Sequence, residues 1–172
     1  SLVDSVKIVF GLAFILSGVF MYLWLRDFLD ETSSLLGSLL YMYAPYRIVD
    51  LYVRGAIGEH VAFIFLPLAL FFLLKISTQK KFNSLLLIGG GISIAGLLLS
   101  HNAISLMFLP IIFLYSAFLV FIQKSRVKLI YNYLSVLALG FGLAAFFWMP
   151  AFFEGKYTLR DIVTMNEYKT RF

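Results

Sequence analysis

Cysteine is absent from the 172 residues, histidine occurs only twice, and 13% of the positions are charged. The missing cysteine excludes disulfides, thiol chemistry and paired-cysteine metal sites. The two histidines, His60 and His101, come without the ligand spacing of a zinc site, so no metal-binding residues are expected. There is no P-loop, no dinucleotide glycine motif and no nucleophile elbow. Internal repeats and low-complexity tracts are also missing. What fills the chain is apolar: 62% hydrophobic residues, nineteen Phe, ten Tyr and a mean hydropathy of +0.94. A soluble domain of this length could not hide so much apolar surface, which places the chain in the lipid bilayer. The net charge of +5 sits in short basic clusters between apolar runs, the pattern of membrane topology, and no nucleic-acid partner is expected.

The fold class expected is all-α, a polytopic transmembrane bundle of about six spans. A span needs about 20 apolar residues, and runs of that kind lie near 5–25, 30–45, 58–75, 83–100, 103–123 and 128–149. The second is the weakest, because Asp30 and Glu31 cut into it and Thr32 or Ser33 could cap a shorter helix. Pro67 and Pro110 fall inside the third and fifth spans, tolerable where neighbouring helices satisfy the freed carbonyls. Small residues four apart, Gly91/Ala95 and Gly140/Ala144, allow close helix contact. The first apolar run is too long for a cleavable signal and has no small-residue cleavage site after it. The chain begins at Ser1 without Met and stops in a polar stretch. It is expected to be one transmembrane domain, 1–172, from a longer protein.

Orientation follows from the loops. Segments 75–83 and 123–128 carry Lys75, Lys80, Lys81 and Lys124, Arg126, Lys128 with no acid, so both are expected on the cytoplasmic side of the plasma membrane. Alternation then puts 44–60, 100–102 and 150–172 on the extracytoplasmic side. Arg47, Asp50, Arg54 and Glu59 crowd into one of those outer segments, "APYRIVDLYVRGAIGEH". Arg47, Asp50 and Arg54 share one side of a helix by spacing. Tyr43, Tyr46 and Tyr52 suit headgroup depth, and Gly55 and Gly58 let the chain turn so that Glu59 stands at a helix start. The segment reads either as an interfacial helix held by an Asp50–Arg54 pair or as a lipid-phosphate or sugar site. In the second reading arginine forks bind phosphate and a carboxylate acts as general base. His101 and Asn102 either cap helix ends in a tight turn, or His101 leans toward the acidic loop and binds a phosphate or hydroxyl; Glu154 and Lys156 could cover the same face.

Three stretches together, "YMYAPYRIVDLYVRGAIGEHVAFIFLPLAL", "LLLSHNAISLMFLP" and "AFFWMPAFFEGKY", resemble the bacterial integral-membrane proteins labelled "6-pyruvoyl-tetrahydropterin synthase-related". These are grouped with the GT-C superfamily of polyprenyl-phosphate-sugar-dependent glycosyltransferases. The label names a soluble pterin enzyme, whose chemistry needs a His-rich zinc site on a soluble fold; this chain has neither. The resemblance implies a GT-C-like multi-span enzyme acting at the outer face on a lipid-phosphate sugar, with a glycan, lipid or protein as acceptor and a divalent cation allowed. On that reading Asp50 and Glu59 are the catalytic candidates. Arg47 and Arg54 hold the donor phosphate, and Tyr52, His60, His101, Asn102 and Glu154 add contacts. GT-C enzymes usually carry their principal acid in the first outer loop, so that loop and the first span are expected upstream of Ser1. The rivals are a transporter or flippase for lipid-linked saccharides, which would need polar residues deep in the spans, and a silent scaffold, whose outer loop would be fully paired.

Overall fold

The computed structural model describes residues 1–79, 81, 83–123 and 125–153, and these are helical with short connections. Helix α1 is Leu2–Leu25 and α2 is Glu31–Met42. A short α3, Pro45–Val49, continues into a π-helical turn, Asp50–Arg54. Then follow α4 (Ile57–Thr78), α5 (Ser84–Ser100), α6 (Asn102–Ile122), α7 (Arg126–Leu143) and α8 (Ala145–Phe153). Three of these, α1, α4 and α6, are long and apolar enough to cross a membrane.

The other three expected spans are not among them, although α5 keeps the bounds expected of the fourth. In place of a span over 30–45 stands the 12-residue α2, about 18 Å long at 1.5 Å per residue, short of the ~30 Å hydrocarbon core. Its cap is Asp30, two and three residues ahead of the Thr32 and Ser33 expected to cap it, because the carboxylate accepts the Ser33 N–H at 3.1 Å. Helix α5 has 17 residues. The sixth run breaks into α7 and α8, which meet at 74°. At the break the Ala144 N–H turns back to the carbonyls of Gly140 and Gly142, and the Trp148 indole N–H takes the Phe141 carbonyl at 2.9 Å.

Helices α1 and α4 lie side by side and parallel: Phe10 and Phe14 meet His60 at one end, and Asp27 pairs with Lys75 at 2.5 Å at the other. Helix α2 returns along α1, with Met42 filling the space beside Gly18. Helix α5 is sandwiched between α4 and α7. A Cβ on Gly91 would stand 2.5 Å from Leu139, and one on Gly140 would stand 2.5 Å from Ile94 Cβ, so the small-residue stripes do bring these two helices into contact. Leu73, Ile94, Leu97, Ile112 and Val136 are buried in the resulting core. Pro67 would leave the carbonyl of Phe63, one turn earlier in α4, without its helical donor. Tyr41 of α2 supplies a donor instead, its hydroxyl 2.8 Å from that oxygen. A neighbouring helix thus satisfies the proline's freed carbonyl.

Candidate functional site at the helix ends

The chain leaves α2 through Ala44 and Pro45, whose fixed φ suits the first turn of a helix. After Val49 the helix widens: the Gly55 N–H reaches back five residues to the Asp50 carbonyl at 2.8 Å, and Gly55 itself takes φ +60°, favourable for glycine. The wider turn rotates Arg54 away from the face it would share with Arg47 and Asp50 in a regular α-helix. Arg47 and Asp50 therefore point inward, 1% and 0% exposed, while the Arg54 side chain stays 46% exposed.

Two linked groups result. In the outer one, Arg54 grips Glu59 with both terminal nitrogens, at 2.5 and 2.7 Å, and the Tyr46 hydroxyl donates to the same carboxylate. This fork holds the Arg54 guanidinium even further above its usual range, and the nearby carboxylate pushes the Tyr46 hydroxyl up as well. His101 caps α6, its Nδ1 accepting the Ile104 N–H at 3.4 Å, which leaves Nε2 3.7 Å from Glu59 Oε1. The turn thus caps a helix and leaves the ring beside the acid. Gly58 packs so closely on the Ser100 carbonyl that a Cβ there would lie 2.6 Å away, which fixes the α4 start against the α5 end.

The inner group is enclosed. Arg47 donates to Ser17 Oγ of α1 at 2.6 Å and lies 3.4 Å from His60 Nε2, with its guanidinium carbon 5.0–5.5 Å from the ring centres of Phe14, Tyr41 and Phe63. Arginine can only donate, so Nε2 of His60 accepts and Nδ1 carries the hydrogen. That Nδ1 faces Asp50 Oδ2 at 3.8 Å, and Arg54 Nη1 stands 3.8 Å from Asp50 Oδ1. Neither oxygen of Asp50 has a hydrogen-bond partner among the described residues, and the same is true of His60 Nδ1 and Arg47 Nε. Burial raises the Asp50 carboxyl above its ordinary value, helped by the negative Glu59 and opposed by Arg54.

Burial is the feature that the sequence did not disclose. Arg47, Asp50 and His60 are enclosed beside the middle of α1, where Phe10, Phe14 and Ser17 meet them. The charged stretch thus folds into a recess against α1. Tyr52, 80% exposed, and Asn102 stand on its outer side, and Glu154 and Lys156 lie outside the described residues. Ser17, Phe14, Tyr41 and Phe63 were missed by sequence reasoning; a serine amid an apolar run was the only polar signal. No three His, Asp or Glu side chains converge to hold a metal ion among the described residues.

A family model described as "6-pyruvoyl-tetrahydropterin synthase related domain; membrane protein" matches residues 1–169. The chain belongs to this family. The description agrees with the apolar helices above, and the 6-pyruvoyl-tetrahydropterin synthase related chain is a membrane protein. It is 28% identical over 158 residues, 85% of its length, to an uncharacterized protein of Lactococcus lactis subsp. cremoris (strain MG1363). The chain spans about a quarter of the length of that curated relative. No solved structure matches it.

Proposed function

We propose that this chain is part of a GT-C-like, multi-pass glycosyltransferase of the plasma membrane, which takes a sugar from a polyprenyl-phosphate donor at the extracytoplasmic face. The observation that carries this reading is Asp50: a fully enclosed carboxylate without a hydrogen-bond partner among the described residues, with His60 and Arg54 each 3.8 Å away. A silent scaffold would leave every charge of the loop paired. In the reaction, the Asp50 carboxylate takes the proton of an acceptor hydroxyl as that oxygen bonds to the anomeric carbon. The bond to the donor phosphate breaks with its electron pair, and the polyprenyl phosphate leaves. Arg54, the half-exposed cation, turns from Glu59 to the departing phosphate. Arg47 is enclosed, so in this reading it positions His60 and through it Asp50, and the phosphate role falls to Arg54. Glu59 holds Arg54 at rest and is the second candidate base. Tyr52, His101, Asn102 and Glu154 contact donor or acceptor, which is a glycan, lipid or protein. The enclosure of Arg47, Asp50 and His60 among the helices favours a second reading, a transporter of lipid-linked saccharides.

The test uses a deletion strain complemented with the full-length protein. Asp50→Asn is expected to lower glycan modification by about 10²–10⁴-fold at unchanged membrane abundance, with lipid-linked sugar accumulating at the outer face. Accumulation at the inner face would select the transporter. Normal glycan from both Asp50→Asn and Glu59→Gln would remove this loop from the chemistry.

A further inference from the structure

The enclosed group beside α1 has more donors and acceptors than it uses. Arg47, Asp50 and His60 are buried, yet Arg47 Nε, His60 Nδ1 and both Asp50 oxygens find no hydrogen-bond partner among the described residues. Such groups are costly to bury unless they are paired. Neighbouring hydroxyls cannot serve them. Ser17 donates to the Phe14 carbonyl at 2.8 Å and accepts from Arg47, Tyr41 donates to the Phe63 carbonyl, and Tyr46 donates to Glu59. Arg47 occupies Nε2 of His60, so Nδ1 presents an N–H, and it faces Asp50 Oδ2 across 3.8 Å. That separation is too long for a direct hydrogen bond. It suits one intervening oxygen: an atom about 2.8–2.9 Å from each end closes a triangle on the 3.8 Å base.

A molecule that fits must accept one hydrogen, donate another and carry no charge. A cation would meet Arg47 and Arg54, and an anion would meet the carboxylates of Asp50 and Glu59. Water meets all three conditions, and internal waters typically make about three hydrogen bonds to buried groups that have no other partner. We propose that one internal water molecule is bound between His60 and Asp50, accepting the Nδ1 hydrogen and donating to Oδ2. An alcohol carries the same hydroxyl, so the acceptor hydroxyl takes this water's place in the reaction. That replacement rests on the function proposed above; the water does not.

Full-length protein in lipid nanodiscs is exposed to brief X-ray pulses in heavy-oxygen water, and oxidised peptides are read by mass spectrometry. Radicals form where water sits, so a bound water marks the side chains around it even where bulk solvent does not reach. His60 is expected to take up heavy oxygen, while Leu97 and Ile112, equally enclosed in the apolar core, stay unmarked. Asp50→Leu removes the acceptor and fills its space, and the label at His60 should be lost. Asp50→Asn keeps an acceptor and should keep the label. A His60 as unmarked as Leu97 would show that ring and carboxylate close directly on one another. A label of equal strength in Asp50→Leu would place the water elsewhere. Either result overturns the site. A labelled His60 beside normal glycan from Asp50→Asn would keep the water and remove only the acceptor step.

Discussion

Arg54 and Glu59 meet fork to fork, Nη2 2.5 Å from Oε1 and Nη1 2.7 Å from Oε2, across the turn at Gly55. The pair is asymmetric, since the Arg54 side chain is half-exposed while Glu59 is only 4% exposed. Removing the arginine therefore leaves a buried carboxylate without its cation. Arg54→Ala should cost about 1–3 kcal/mol. Glu59→Gln keeps the shape and one acceptor of the fork, and the half-exposed Arg54 can turn to water, so it should cost no more than about 1 kcal/mol. Denaturation in detergent measures both; equal losses would mean that the pair behaves as an ordinary surface contact.

Tyr41 and Pro67 should be coupled. Tyr41→Phe leaves the Phe63 carbonyl without a donor and is expected to destabilise by about 1–2 kcal/mol. Pro67→Ala returns a backbone N–H to the same carbonyl, so the tyrosine change should cost much less in the Pro67→Ala background. A double-mutant cycle gives the answer, and strict additivity would show that the hydroxyl is not the proline's substitute donor.

Two glycines of α7 should respond in opposite ways to alanine. At Gly140 a Cβ would collide with Ile94 Cβ at 2.5 Å, and the α5–α7 contact must open, at about 1–3 kcal/mol. Gly142 has nothing within 4 Å, so Ala there should be neutral or stabilise by up to about 1 kcal/mol through helix propensity. Melting temperatures of the two variants test the helix register directly.

Asp50 makes stability depend on pH. Its carboxyl is raised above the ordinary 3.8, so between that value and the raised one the folded state holds a proton that the unfolded state has lost. Stability from this group is fully present below pH 3.8 and declines as pH rises through the raised value. Asparagine does not titrate. Asp50→Asn should melt close to wild type at the acid end and above it at pH 7, while losing activity. A variant that melts lower than wild type at neutral pH would show that the ionised carboxylate is stabilised in the fold.

The residues by themselves determined the membrane environment, the helical class and the positions of α1, α4 and α6, because long apolar runs admit few other solutions in lipid. They also marked 44–60 as exceptional, since charge is costly near a bilayer and is rarely placed there without use. The close approach of α5 and α7 was legible from Gly91 and Gly140, where missing side chains set how near two backbones come. Tertiary structure decided the rest. Whether α2 spans could not be read from local hydropathy, because its length depends on an Asp30 cap and on a chain that turns at Pro45. The partner of Arg54 depended on the turn at Gly55, which brings Glu59 within hydrogen-bond reach while the expected ion pair with Asp50 stays at 3.8 Å. The burial of Arg47 needed Ser17 and three rings from α1, α2 and α4, separated in sequence by up to 49 residues and brought together only when α1 and α4 pack in parallel. The recess is such a property too: it is set by where helices of unequal length end against one another, and no single segment carries that information.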